Sequence, residues 1–207
     1  LSDDDHRVLI QHCIDNGIEF LSTGFDEIDL DMLVSLGIAH IKIPSGEMTN
    51  LPYLRAVASY QLPVLMSTGM ATLEEVEASI SALLDAGLQR NNLTILHCTS
   101  SYPAPDNELN LNAMLEMRRH FGLPVGYSDH SEGIEASVIA ACLGATVIEK
   151  HVTLDRRLAG PDHLASIEPK NLSELASIIR RKDVMMGSAL KMPSKSELDI
   201  AKAARKS

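Results

Sequence analysis

The sequence predicts an α/β fold, a partial (β/α)8 TIM barrel with about six β/α units in 207 residues. Three observations predict it. An apolar run, a polar cluster at its C-terminal end and an amphipathic helical stretch recur six times in the same order. The apolar runs are short and do not alternate, as expected of parallel strands covered on both faces. No Gly-rich dinucleotide fingerprint follows any of them, which weakens the alternative of an open doubly wound sheet. In a barrel the ends of successive strands ring one pocket, so the polar clusters would converge.

The units follow one another along the chain. IEFLSTGFD (18–26) is the first expected strand and DLDMLVSLG its helix; AHIKIPSGE (39–47) precedes NLPYLRAVASY; PVLMSTGM (63–70) precedes TLEEVEASISALLDAG. LTILHCTSSYP (93–103) leads into LNLNAMLEMRRHFG, PVGYSDH into the alanine-rich EASVIAACLG, and TVIEKHVTLD into NLSELASIIRRK. Thr72 with Glu75, and Asn171 with Glu174, have the spacing of capping boxes and mark two helix starts. Residues 1–190 read as one partial barrel domain, and the polar stretch 191–207 as the start of a connector.

Composition narrows the function classes. Hydrophobic residues make up 45% and charged residues 22%, which is ordinary for a globular chain and excludes pervasive disorder. The formal charge of −10 argues against a nucleic-acid or anionic-membrane partner, since both attract basic patches. No apolar run reaches the length needed to span a bilayer, and the acidic N-terminus is unlike a signal peptide, so a cytoplasmic location is expected. Cys13, Cys98 and Cys142 are odd in number and lack CxxC spacing, which reads as reduced thiols in or near the core.

The candidate chemistry lies at the strand ends. GYSDH ends one strand at His130 and TVIEKH ends the next at His151, with one helical crossover between them. Two imidazoles side by side at one end of a parallel sheet suggest a divalent-metal site, although either one alone also fits a satisfied structural histidine. Lys42, Ser45, Ser67, Thr68, Thr99, Ser100, Ser101 and Ser128 supply one cation and many hydroxyls, with Gly46 and Gly69 letting backbone amides come close. That set suits a phosphate or a phosphorylated carboxylate. Any one of these serines fits a turn or a cap, and the case for a site comes from their recurrence at strand after strand. Glu47 beside this cluster has two readings, steering a proton or holding Lys42, and Asp162 in GPDH also fits a Pro-linked turn.

Five segments, IKIPSGEMTNLPYLRAVA, PVLMSTGMATLEEVE, LTILHCTSSYPAP, LPVGYSDHSEGIE and GATVIEKHVTLDRRLAGPDHLAS, resemble the catalytic barrel of the sialic acid synthases. This N-acetylneuraminate synthase family also makes legionaminic and pseudaminic acids. The resemblance implies joining of phosphoenolpyruvate to an N-acetylated hexose, N-acetylmannosamine or a diacetamido analogue, giving a nine-carbon acid and phosphate. It implies a divalent metal, Mn2+ or Mg2+, on His130 and His151. Lys42, Ser45, Ser67 and Ser128 would hold phosphoenolpyruvate, Glu47 would lie by the reacting carbons, and Tyr102 and Asp162 would face the sugar. Ser100 stands where many members have Asn, and Gly24 where the usual motif has Pro. The form IPSGE with GYSDH and VIEKH is closer to the legionaminic type.

The family barrel has eight strands, and its first two have no counterpart here. A small antifreeze-like domain, which in the family reaches over the partner subunit's site, would follow the last helix. The chain is therefore expected to be a fragment of a longer, homodimeric synthase, of doubtful activity alone. Two other classes compete: a Schiff-base aldolase using Lys42 or Lys150, and a non-catalytic remnant that only binds.

Overall fold

The computed structural model describes residues 2–205. Helices α1 (Asp3–Asp15) and α2 (Glu27–Ser35) lead into β1 (Ile41–Ile43), after which helices and strands alternate: α3 (Leu51–Ser59), β2 (Val64–Ser67), α4 (Leu73–Asp85), β3 (Leu93–Cys98), α5 (Ala113–Phe121), β4 (Val125–Asp129), α6 (Glu135–Cys142) and β5 (Ile148–Lys150). Helices α7 (Pro169–Met186) and α8 (Lys195–Ala204) follow. The five strands stand in chain order and every neighbouring pair is parallel, so the sheet curls as part of a barrel with a helix for each crossover.

Five of the six expected strands form. The first, 18–26, makes no strand ladder with β1 among the described residues and bends at Phe25 and Asp26. Its polar groups are satisfied elsewhere. Ile18 N–H donates to the Cys13 carbonyl at 3.0 Å, Tyr53 Oη donates to the Gly24 carbonyl at 2.6 Å, and Asp26 turns away to cap α2 through Asp29 N–H at 2.8 Å. Side chains make the connection to β1 instead: Glu19 bonds His40, and Phe20 packs on the core.

Register and side-chain alternation sort the sheet into two faces. Ile41, Ile43, Met66, Ile95, Val125 and Tyr127 point toward the helices and are almost wholly buried. The other face carries Lys42, Ser67, Cys98, Ser128 and Glu149, so the short apolar runs do alternate where they approach their C-terminal ends. Beneath the helices, Leu30, Leu33, Leu54, Val57 and Leu83 complete the core.

The capping box at Thr72 and Glu75 is present in both directions, 3.3 Å and 2.8 Å. The one expected at Asn171 and Glu174 is not. Helix α7 begins at Pro169 after Glu168, because proline in the first turn has its φ preset and no N–H to lose, which leaves Asn171 inside the helix. The stretch expected to be a plain connector also contains α8, started by a capping box between Ser194 and Glu197, with no buried residue on any face.

Candidate active site

Lys42 sits at the middle of β1 on the inner face and is 7% exposed. Its Nζ donates to Ser67 Oγ at 2.7 Å and to the Ile43 carbonyl at 3.2 Å, and lies 3.7 Å from Glu149 Oε1. Ser128 Oγ donates to the same Glu149 oxygen at 2.5 Å. Burial pulls the Lys42 ammonium below its ordinary pKa, and the Glu149 carboxylate opposes that shift. A single partly dehydrated cation among short hydroxyls is the arrangement that holds an anion well.

Beside it lies a tight hydroxyl and thiol cluster. Gly69 N–H donates to Ser45 Oγ at 3.0 Å, and Ser45 Oγ is 3.3 Å from Cys98 Sγ. A Cβ at Gly69 would stand 2.8 Å from Ser45 Oγ and 2.9 Å from Cys98 Sγ, and would collide with Ser100 Oγ. Only glycine lets these groups meet around one backbone amide.

The imidazoles of His130 and His151 are neighbours, ring centroids 5.4 Å apart and inclined at 69°. Tyr102 covers them, with its ring 4.2 Å from His130 and 5.6 Å from His151. His130 Nδ1 is 2.7 Å from the Thr99 carbonyl, which requires Nδ1 to carry the proton and leaves the Nε2 lone pair facing inward, 3.4 Å from Ser128 Oγ. Burial, opposed by that carbonyl, pulls the His130 pKa below the ordinary imidazole value and so favours the neutral, ligating form. His151 is half-buried, with Nδ1 3.9 Å from the exposed Asp162 carboxylate.

The structure thus brings Lys42, Ser45, Ser67, Ser100, Ser128, His130 and His151 to one end of the sheet, with Tyr102 and Asp162 at the rim. Two of the expected hydroxyls are engaged elsewhere. Thr68 Oγ1 donates to the Leu96 carbonyl at 3.0 Å and Thr99 Oγ1 to the Glu108 carbonyl at 3.2 Å, so Thr99 meets the site through its backbone. Glu47 lies in a 3-10 turn, Ser45–Glu47, and accepts from Asn50 Nδ2 at 2.7 Å; no bond from it to Lys42 is seen among the described residues. A cleft of about 520 Å³ between α4 and α5 shares only Thr68 and Cys98 with these groups.

Sequence reasoning passed over Glu149, although its signal was present: it stands two residues before His151, as Ser128 stands two before His130, and period-two alternation puts all four on one face. It also passed over Asp129, and it took Cys98 only as a core thiol.

Fold and site together define a parallel barrel chain with a lysine and hydroxyl cradle beside an imidazole pair at the strand ends. The sequence profile of the NeuB family matches residues 1–191, and the chain belongs to that family. It is 50% identical over 202 residues to the N,N'-diacetyllegionaminic acid synthase of Campylobacter jejuni, covering 98% of this chain and 60% of that protein. It is 47% identical over 209 residues to the synthase of the same name from Legionella pneumophila, covering 100% of this chain and 59% of the relative. The chain therefore spans about three fifths of the length of these relatives. The crystal structure of N-acetylneuraminic acid synthetase from Leptospira borgpetersenii, in complex with citrate, superimposes with a TM-score of 0.88 at 33% identity, covering 100% of this chain and 73% of that one.

Proposed function

We propose that this chain is the catalytic barrel portion of a synthase that condenses phosphoenolpyruvate with a diacetamido hexose to a nine-carbon legionaminic-type acid and phosphate. The observation that carries the reading is the inner face itself, where Lys42, Ser67, Ser128 and Glu149 adjoin the His130 and His151 pair. The diacetamido acceptor is supported by the relatives: those named N,N'-diacetyllegionaminic acid synthase are 50% and 47% identical, against 36% for the human N-acetylneuraminate-9-phosphate synthase.

Lys42 and the hydroxyls of Ser45, Ser67 and Ser128 bind the phosphate and carboxylate of phosphoenolpyruvate, and so fix its methylene toward the acceptor. Engagement of the anion takes Lys42 out of its contact with Glu149. Tyr102 and Asp162 at the rim orient the sugar. Glu47 stands near the reacting carbons, where a carboxylate can hold or pass a proton. The carbon–carbon bond forms between the methylene and the aldehyde carbon; water adds at the carbon bearing the phosphoryl oxygen, and cleavage of its bond to that oxygen releases phosphate.

The imidazole pair would supply two nitrogen ligands to a divalent cation, which the family resemblance makes Mn2+ or Mg2+. His130 offers a neutral nitrogen whose tautomer is set by the Thr99 carbonyl, the outer-sphere support that metal-bound histidines need. Among the described residues no group of three or more His, Cys, Asp or Glu side chains forms a closed cage, so water and substrate oxygens would complete the coordination. When bound, such an ion supplies Lewis acidity at the aldehyde oxygen.

A Schiff-base mechanism is disfavoured, because Lys150 faces the helices paired with Asp129 at 3.1 Å and Lys42 is held by Ser67. The test is phosphate release from phosphoenolpyruvate with the diacetamido hexose and, separately, with N-acetylmannosamine, with Mn2+ and with chelator, together with borohydride trapping. Turnover that prefers the diacetamido sugar and stops with chelator is expected. Chelator-resistant activity with a borohydride adduct would replace this reading with the aldolase.

A further inference from the structure

Each histidine of the pair ends a tripeptide of matched design, Ser128-Asp129-His130 at the end of β4 and Glu149-Lys150-His151 at the end of β5. The strands pair in the register Ser128 with Glu149 and Asp129 with Lys150. Ser128 and Glu149 meet on the inner face. Asp129 and Lys150 meet on the opposite side, among the helices, a side that is otherwise apolar apart from His97 and the Tyr127 hydroxyl. Asp129 is 0% exposed and the Lys150 side chain 3%. Asp129 Oδ1 accepts from Ser131 N–H at 2.8 Å and Ser131 Oγ at 2.6 Å, and Oδ2 accepts from Ser137 Oγ of α6 at 2.5 Å besides facing Lys150 Nζ at 3.1 Å. Lys150 donates in addition to the Ser131 carbonyl.

A buried ion pair adds little net stability over apolar side chains of the same volume, whereas either charge stranded alone is strongly unfavourable. Its distinctive effect is on alternatives. A slip of β5 by one residue would move Lys150 to the inner face and leave Asp129 buried without its cation, since side chains change faces at each residue. His151 would leave His130 in the same slip.

We propose that Asp129 and Lys150 are positioning residues, whose pairing fixes the register of β4 and β5 and thereby holds His130 and His151 at the spacing a shared divalent cation requires. The cation rests on the function proposed above; the register does not. The pair touches neither substrate nor cation and acts through the two histidines.

The test compares the wild type with Asp129→Asn, Lys150→Met and the apolar pair Asp129→Leu with Lys150→Met. Mn2+ affinity is read by titration and stability by thermal melting. A metal-independent reading comes from the rate of disulfide formation in a His130→Cys, His151→Cys, Cys98→Ser background, with the cross-link located by peptide mass. The apolar pair should melt below the wild type, because the Ser131 N–H and the Ser131 and Ser137 hydroxyls lose their acceptor, should bind Mn2+ about tenfold or more weaker, on the scale seen when a ligand's positioning is lost, and should cross-link more slowly. Wild-type Mn2+ affinity and cross-linking together in that variant would overturn the proposal. Should the apolar pair fail to fold, Asp129→Asn, which keeps the shape and one acceptor oxygen for Ser131 but loses the acceptor that Ser137 and Lys150 share, is read by Mn2+ affinity and cross-linking. If the wild type itself binds no Mn2+, the cation reading fails, and cross-linking alone decides: slowing by Asp129→Asn upholds the register role, and an unchanged rate refutes it.

Discussion

Lys42 and Glu149 belong to the first and last strands of the sheet, yet Nζ and Oε1 are 3.7 Å apart. In a flat five-stranded sheet these strands would be about 19 Å apart, well beyond contact. The pair therefore reports the curl that gathers residues from all five strands into one cradle. It also explains how a chain of net charge −10 offers an anion a local cation: Lys42 is buried, and its counter-ion is a carboxylate that an incoming phosphate can replace.

Lys42→Ala is expected to weaken phosphoenolpyruvate binding far more than sugar binding. A charge-assisted hydrogen bond contributes about 1.5–3 kcal/mol, so the affinity should fall by roughly tenfold to a hundredfold. Isothermal titration with each substrate separately checks this, and an equal loss for the sugar would mean the cradle holds something else.

His130→Ala and His151→Ala are each expected to abolish tight Mn2+ binding while leaving the fold intact. Both rings lie beyond the last residue of their strands and contribute nothing to the ladder. Mn2+ titration with circular dichroism on the same samples is the measurement. Unchanged Mn2+ affinity in both variants would remove the imidazole pair from the site.

The strand ends were legible because GYSDH and VIEKH each pass abruptly from apolar to polar residues, and recurrence along the chain marked one end of a sheet. The strand expected over 18–26 was not, since an apolar run cannot reveal whether a neighbour supplies the other half of a ladder. Tyr53 and Cys13, distant or out of pattern in sequence, take its hydrogen bonds instead. The intramolecular bonds of Thr68 and Thr99 were hidden for a similar reason: donation to the Leu96 and Glu108 carbonyls is a tertiary fact. Glu149 was within reach of the sequence through its alternation with His151, but the more familiar residue types beside it drew the reading.

Gly69→Ala is expected to damage the cradle directly. The added methyl would lie 2.8 Å from Ser45 Oγ and 2.9 Å from Cys98 Sγ, both on short side chains with little room to retreat. Overpacking of this kind costs about 1–3 kcal/mol. Protection of inorganic phosphate or phosphoenolpyruvate against thermal unfolding should disappear in the variant, and retention of that protection would show that the Ser45 and Ser100 cluster is not part of the anion site.

The protein should lose stability in mild acid, and His97 is one source. This ring lies on the helix-facing side, stacked on Tyr127 with centroids 5.9 Å apart, and its Nε2–H donates to the Leu109 carbonyl at 2.8 Å. Burial pulls its pKa below the ordinary value, with the carbonyl only partly opposing. The unfolded chain then binds a proton more readily than the folded one, so stability falls as pH drops below the unfolded imidazole value of about 6.5 and goes on falling toward the lower folded value. His130 is shifted the same way and adds to the effect. His97→Gln keeps an amide donor for Leu109 and removes one titrating group, so melting temperature against pH between 7.5 and 5 should decline less steeply than in the wild type. An identical slope in the two proteins would mean that His97 is not buried in its neutral form.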